Sequence, residues 1–406
     1  MSYSTAPRYS NKNNAADFTG SPAERSTRLT SDQRALDKSA VGDKTVADPK
    51  AIEEFRNLLK KVGSGTHTSK PLTREEAAIA TEMMLTGAAT PAQIGAFMIA
   101  HRIRRPTPTE LAGMLDAYDA LGSKIEAIDS EYKTTVFCNP YDGRSRTAPI
   151  SPLTALILSA AQVPVVMPGS GRMPTKMGLP TVEIFVGLGA DWTQLSQEQL
   201  QQVFEQTRLA HTYQPNHFPM AQTLVPYRMQ IGKRPTLATV EIMWSPVEGA
   251  CNVVSGYVHP PTEGRTLEAF TQREVAFFST VKGLEGSCDI ARSRTGIIGL
   301  NTVENGALQS QRLLLHPHEY GFDGADPEFV PLNELLPLYK AAITGVQNEI
   351  SRSAVWNSGF YLWRAGRVDS IETGFELARS LLSSGAVEQQ LSKVNSAINS
   401  AIRSVV

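Results

Sequence analysis

The chain has 406 residues, 41% of them hydrophobic, with 39 Lys and Arg against 40 Asp and Glu and a formal net charge of −1. That length fits one large or two modest domains with real cores. The charge balance gives no bulk attraction to nucleic acid or anionic lipid, and no apolar run reaches the roughly 18 residues of a membrane span.

Residues 1–48 are rich in Ser, Thr, Asn, Asp, Arg and Ala, with one Phe and no Ile or Trp. Such a segment buries too little apolar area to offset its ordering entropy, so a disordered tail is expected. It lacks the apolar core of a secretory signal. Residues 49–128 are expected to form a helical domain. Thr73 with Glu76, Thr90 with Gln93 and Thr107 with Glu110 have capping-box spacing, and Pro91 and Pro108 sit at first helical positions. Ala77, Ala80 and Met84, then Ile94, Phe97 and Met98, give apolar stripes at helical spacing.

Residues 129–406 are expected to form a larger α/β domain. Thr134–Phe137 reads as a strand, 151–161 as a buried helix and 163–167 as a second strand. Strand, helix and strand in that order make a βαβ unit and imply a parallel sheet. Further strands are expected at 250–258, 276–281 and 296–300. Helices are expected at 196–208, 221–231, 265–273, 354–363 and 371–383. The fold class is therefore α/β: a small helical bundle followed by a larger domain with a mostly parallel central sheet. Cys138, Cys251 and Cys288 are far apart and form no CxxC pair. That argues against a disulfide scaffold or zinc site and fits a reducing, cytoplasmic compartment.

Four segments are candidate site chemistry. The turn after the first strand contains Asn139, Asp142, Gly143 and Arg144, and Ser151 opens the next helix. Anion cradles favour glycine; here arginines replace most of the backbone amides, or the turn is an ordinary one with a solvated basic face. The turn after the second strand holds Gly169, Ser170, Arg172 and Lys176. Two such loops at adjacent strand ends would line one crevice. Arg228, with Lys233 and Arg234, lies where a helix ends at Gly232, an arrangement that also suits simple dipole compensation. Glu285 and Asp289, four residues apart in a glycine-rich loop, would suit Mg²⁺ beside a diphosphate, or a solvated turn. His316 and His318 flank Pro317 with no third ligand in view and read as loop residues.

Together these segments resemble the anthranilate phosphoribosyltransferase family over about residues 52–390. The resemblance rests on Leu72–Ala77, Pro91–Phe97, Glu110–Gly113, Pro226–Arg234, His318–Phe322 and Trp356–Asn357. It implies a dimer formed through the helical domain, an interdomain cleft for phosphoribosyl diphosphate and Mg²⁺, and Arg228 as the anthranilate contact. The implied reaction is pentosyl transfer in tryptophan biosynthesis. The family's Gly-Thr-Gly-Gly-Asp-Gly loop is Cys138-Asn139-Pro140-Tyr141-Asp142-Gly143 here. Its Lys-His-Gly-Asn-Arg is Met167-Pro168-Gly169-Ser170-Gly171-Arg172, and its Asp-Glu metal pair is Cys288-Asp289. The pattern also resembles a divergent branch with a rebuilt diphosphate loop, in some members of which nucleic-acid binding replaces transfer. Three functions stay open: phosphosugar binding or transfer, nucleic-acid binding through Arg102, Arg104, Arg105, Arg144, Arg146, Arg172, Lys176, Lys233 and Arg234, and a regulatory or interaction role.

Overall fold

The computed structural model describes residues 48–65 and 67–404; the expected tail lies outside them apart from Asp48. Helix α1 (Pro49–Gly63) is capped by the Asp48 carboxylate and buries Phe55, Leu58 and Val62. Helices α2 (Arg74–Leu85), α3 (Pro91–Arg104) and α4 (Pro108–Leu121) start at Thr73, Thr90 and Thr107, and each capping box is formed in both directions. Glu110 does more than cap. Its fully buried carboxylate also accepts from the Leu72 N–H at 2.9 Å and pairs with His101 and Arg104. Burial pushes the Glu110 carboxyl up, but His101 and Arg104 outweigh it and hold it well below the usual carboxylate range. One buried charge thus ties α2, α3 and α4 together.

Among the described residues the main sheet has seven strands in the order β4-β3-β2-β6-β7-β8-β9. These are β2 (Thr134–Cys138), β3 (Val165–Gly169), β4 (Leu209–Tyr213), β6 (Cys251–Gly256), β7 (Phe277–Val281), β8 (Gly296–Glu304) and β9 (Ala307–Leu315). The first five in that order pair in parallel, whereas β8 and β9 add an antiparallel edge. A separate short parallel pair joins β1 (Ile125–Glu126) to β5 (Val247–Glu248). Helix α5 (Ser151–Ala160) crosses from β2 to β3 and is almost wholly buried, as its mostly apolar, charge-free sequence predicts. Helices α6 (Thr181–Gly187) and α7 (Gln197–Thr207) follow β3.

The expected helix at 221–231 is interrupted. A short turn at Pro219–Gln222 ends, and α8 (Val225–Ile231) restarts with Pro226 in its first turn. Pro226 has no N–H to give a continuing helix, so the chain restarts where that donor is not needed. Helix α9 (Pro260–Gln272) begins earlier than expected. Helices α10 (Leu332–Ile343), α11 (Glu349–Arg364), α12 (Ile371–Ser383) and α13 (Ala386–Arg403) return late in the chain, and α11, α12 and α13 pack on α5.

Strand β4 was not expected, nor was β9. The β8–β9 hairpin turns at Asn305 and Gly306, whose φ values of 51° and 73° suit a tight primed turn. Several contacts join the helical part to the α/β part; among them, Arg74 donates to the Gln272 carbonyl at 2.8 Å, and Arg273 pairs with Asp116 at 2.8 Å.

Candidate functional site

The parallel strands place the loops after β2, β3 and β7 at one end of the sheet. The β2 loop (139–147) and the β3 loop (170–178) are neighbours because β2 and β3 are neighbours. The β7 loop (282–289) reaches them across β6.

The two adjacent loops are joined to each other rather than held apart. Arg144 donates its N–H to the Leu179 carbonyl at 3.0 Å, and Leu179 returns the bond at 2.7 Å. Gly143 makes this approach possible. Its φ is +74°, and a Cβ there would lie 2.6 Å from the Gly178 carbonyl carbon. The glycine therefore serves loop packing. The Asn139 side chain donates to the Ser151 hydroxyl at 3.1 Å and accepts from the Cys288 N–H at 3.1 Å, pinning the β7 loop to the start of α5. Tyr141 is buried, and burial pushes its hydroxyl pKa well up.

The Arg144 guanidinium lies 2.6 Å from Asp289 and 3.3 Å from Glu285, and donates to Ser287 at 2.8 Å. Glu285 also accepts from the backbone N–H groups of Arg146 at 3.0 Å and Thr147 at 3.1 Å. Lys176 stands 3.6 Å from Glu285 and 3.9 Å from Asp142. Asp142 is fully buried and is held by charge rather than by direct hydrogen bonds, with Arg228 and Arg234 each at 4.0 Å. Arg228 is turned to Glu241 at 2.9 Å and to the Met173 sulfur at 3.0 Å. Arg146 completes the set at 3.8 Å from Glu285. Five cations (Arg144, Arg146, Lys176, Arg228, Arg234) thus face four carboxylates (Asp142, Glu241, Glu285, Asp289) in one connected network.

The environment sets the ionisation of these groups. Burial pushes the Glu285 carboxyl up, but the backbone N–H of Arg146, the Arg144 guanidinium and Lys176 outweigh it and hold it at about 2. Burial lowers the Lys176 ammonium, against the pull of Asp142 and Glu285. For Glu241 burial wins over the Arg228 charge, and its carboxyl is raised.

Most of the sequence-predicted residues therefore meet: Asn139, Asp142, Gly143, Arg144, Ser151, Lys176, Arg228, Glu285 and Asp289. Three stand apart from the network. Gly169 is the last residue of β3, where a Cβ would lie 2.8 Å from the His211 ring. Ser170 is buried beside it. Arg172 turns outward to Glu183 at 2.7 Å. Sequence reasoning missed Glu241, which follows the short helical turn Leu237–Val240 with no partner at a telling spacing. His316 lies in a loop at 3.0 Å from the Thr295 hydroxyl, as expected.

Little space remains. The cavity lined by Asn139, Arg144, Ser151 and Asp289 has a volume of about 10 Å³, and so does the one beside Tyr141 and Gly169. Small-molecule sites run to several hundred Å³. Two larger cavities, of about 340 and 590 Å³, contain none of the predicted site residues. The donor set also does not fit a divalent cation. The oxygens of Glu285 and Asp289 face Arg144, Lys176 and backbone N–H groups, and no cluster of three His, Cys, Asp or Glu side chains that would hold a metal occurs among the described residues.

Residues 56–122 match the helical bundle domain of the glycosyl transferase family, and residues 142–388 match its a/b domain. An anthranilate phosphoribosyltransferase of Azorhizobium caulinodans is 25% identical over 354 residues, covering 84% of this chain and 96% of the relative. That of Sinorhizobium medicae is 27% identical over 338 residues, covering 81% and 95%. The Saccharomyces cerevisiae anthranilate phosphoribosyltransferase in complex with PRPP and Mg aligns with a TM-score of 0.73 at 12% identity, over 86% of this chain and 98% of that one. The Thermus thermophilus enzyme aligns at 0.65 and 17%, over 86% and 100%. The bundle, the mostly parallel sheet and the two matched domains agree: the chain belongs to the glycosyl transferase family that includes the anthranilate phosphoribosyltransferases.

Proposed function

We propose that this chain is a non-catalytic member of the family, a binding or regulatory protein whose cleft is closed by its own charges. The observation that carries this is the internally paired network of five cations and four carboxylates around cavities of about 10 Å³. A phosphosugar diphosphate entering here would have to displace Tyr141 and part the Arg144–Leu179 bridge. It would also have to break several charge-assisted pairs, each worth about 1.5–3 kcal/mol. A cytoplasmic homodimer is part of the proposal, supported by the exposure of Ile79 on α2 and Ile103 on α3 in the helical bundle. Nucleic-acid binding is disfavoured because Arg104, Arg144, Arg172 and Lys176 are committed to carboxylates and Arg102 to the Arg234 carbonyl.

The relatives favour a second function, phosphoribosyl transfer from phosphoribosyl diphosphate with Mg²⁺. The chain spans nearly their whole length, and one structural neighbour is in complex with PRPP and Mg. Anthranilate fluorescence decides between the two. With phosphoribosyl diphosphate and Mg²⁺ present, the rate of fluorescence loss is expected to match the protein-free control. A loss that scales with protein concentration and vanishes in Arg228→Ala would establish transfer.

A further inference from the structure

We infer that Arg144 is a built-in replacement for a divalent cation: its guanidinium occupies the position between Glu285 and Asp289 that a metal would take, and so makes the cleft metal-independent. This rests on the proposed non-catalytic role and adds the means by which the site is kept closed. A pair of carboxylates from one loop, facing a buried cleft, is the usual oxygen set for Mg²⁺ or Mn²⁺. Here the cation that meets them is part of the chain. Arg144 reaches Asp289 at 2.6 Å and Glu285 at 3.3 Å, is 3% exposed, and fills its remaining donors with Ser287 and Thr147. A guanidinium has five donors in a fixed plane and stays protonated, so it satisfies two carboxylates from one side without the water shell that Mg²⁺ keeps.

A second, independent feature lies beside this pair. The Asp142 oxygens are fully buried and accept no hydrogen bond, and Lys176 links them to Glu285 at 3.9 and 3.6 Å. Around a bound divalent ion this lysine would face a like charge. Around Arg144 it balances a third carboxylate. The network already holds one more cation than carboxylates, and an added Mg²⁺ would leave it with three unbalanced positive charges.

The test uses the full chain and Mn²⁺ as a paramagnetic probe. Wild type is expected to leave the free-Mn²⁺ resonance unchanged at equimolar protein. Arg144→Ala is expected to remove signal equivalent to one ion per chain, and the double variant Arg144→Ala/Asp289→Asn to restore it. Guanidinium ion at millimolar concentration should displace Mn²⁺ from Arg144→Ala. Arg144→Gln, which leaves less empty volume, serves as the second variant and should also take up Mn²⁺. Stoichiometric uptake by wild type that is lost in Asp289→Asn would overturn the inference. A folded Arg144→Ala or Arg144→Gln that takes up no Mn²⁺ would do the same. Should neither variant fold, the wild-type measurement decides alone. The anthranilate assay reports separately on the non-catalytic role. Turnover by a wild type that takes up no Mn²⁺ would sink that role while leaving Arg144 as the internal cation.

Discussion

Arg144→Ala is expected to destabilise the protein by about 3–5 kcal/mol, read as a shift in the urea midpoint, because it leaves two buried carboxylates without their shared cation. Glu285 and Asp289 are 9% and 1% exposed, so water cannot compensate them as it would a surface pair. The loss also has a backbone component. Asp289 accepts from the Ile150 N–H at 2.9 Å at the start of α5, and Glu285 accepts from three successive N–H groups of the β2 loop. Freed of Arg144, these carboxylates repel each other through the loops that position them. Removing one of the two charges should therefore recover part of the loss. Arg144→Ala/Asp289→Asn is expected to be more stable than Arg144→Ala alone, a coupling of the kind neighbouring charges show. Additive effects would mean that the three groups do not act as a unit.

Acid should open the same network. Glu285 has a folded-state carboxyl at about 2 against an ordinary value of 4.5. A depressed carboxyl contributes stability that is present above its unfolded pKa and is lost as pH falls through its folded pKa. The window is therefore from about 4.5 down to about 2, and the contribution at stake is roughly 3 kcal/mol at most. Glu241 acts in the opposite sense, since burial raises its carboxyl, and so blunts the effect. The urea midpoint of wild type is expected to fall steadily below pH 4.5. Glu285→Gln should start lower at pH 6 and fall less steeply, so that the two curves converge in acid. Parallel curves would show that the Glu285 charge is not held by Arg144, Lys176 and the β2 loop.

Local chemistry at particular residues decided what was legible in the sequence. Thr73, Thr90 and Thr107 announce α2, α3 and α4 because a capping box is short-range and its partners lie three residues apart. The βαβ unit at 134–169 was legible because α5 is buried on every side and so reads as a mostly apolar, charge-free run. Strand β9 was not, although Asn305-Gly306 marks a hairpin, because its outer-edge position leaves it mostly exposed and polar, with no alternation to read. In the site, two anion-like loops and one acidic loop were visible as loops, and the fold does bring them together. What they face was not visible. Glu285 is 141 residues from Arg144, so that pairing depends on the sheet order, and Glu241, 13 residues from Arg228, meets it through the turns between β4 and β5. Basic residues in glycine-bearing loops look the same in sequence whether they await an anion or already hold the chain's own carboxylates.

Isothermal titration of phosphoribosyl diphosphate with Mg²⁺ into the full chain tests the closed cleft most directly. The internally paired network predicts no saturable heat up to roughly 1 mM ligand, the weak end of specific binding. A saturable one-site isotherm that requires Mg²⁺ and is lost in Asp289→Asn would contradict it.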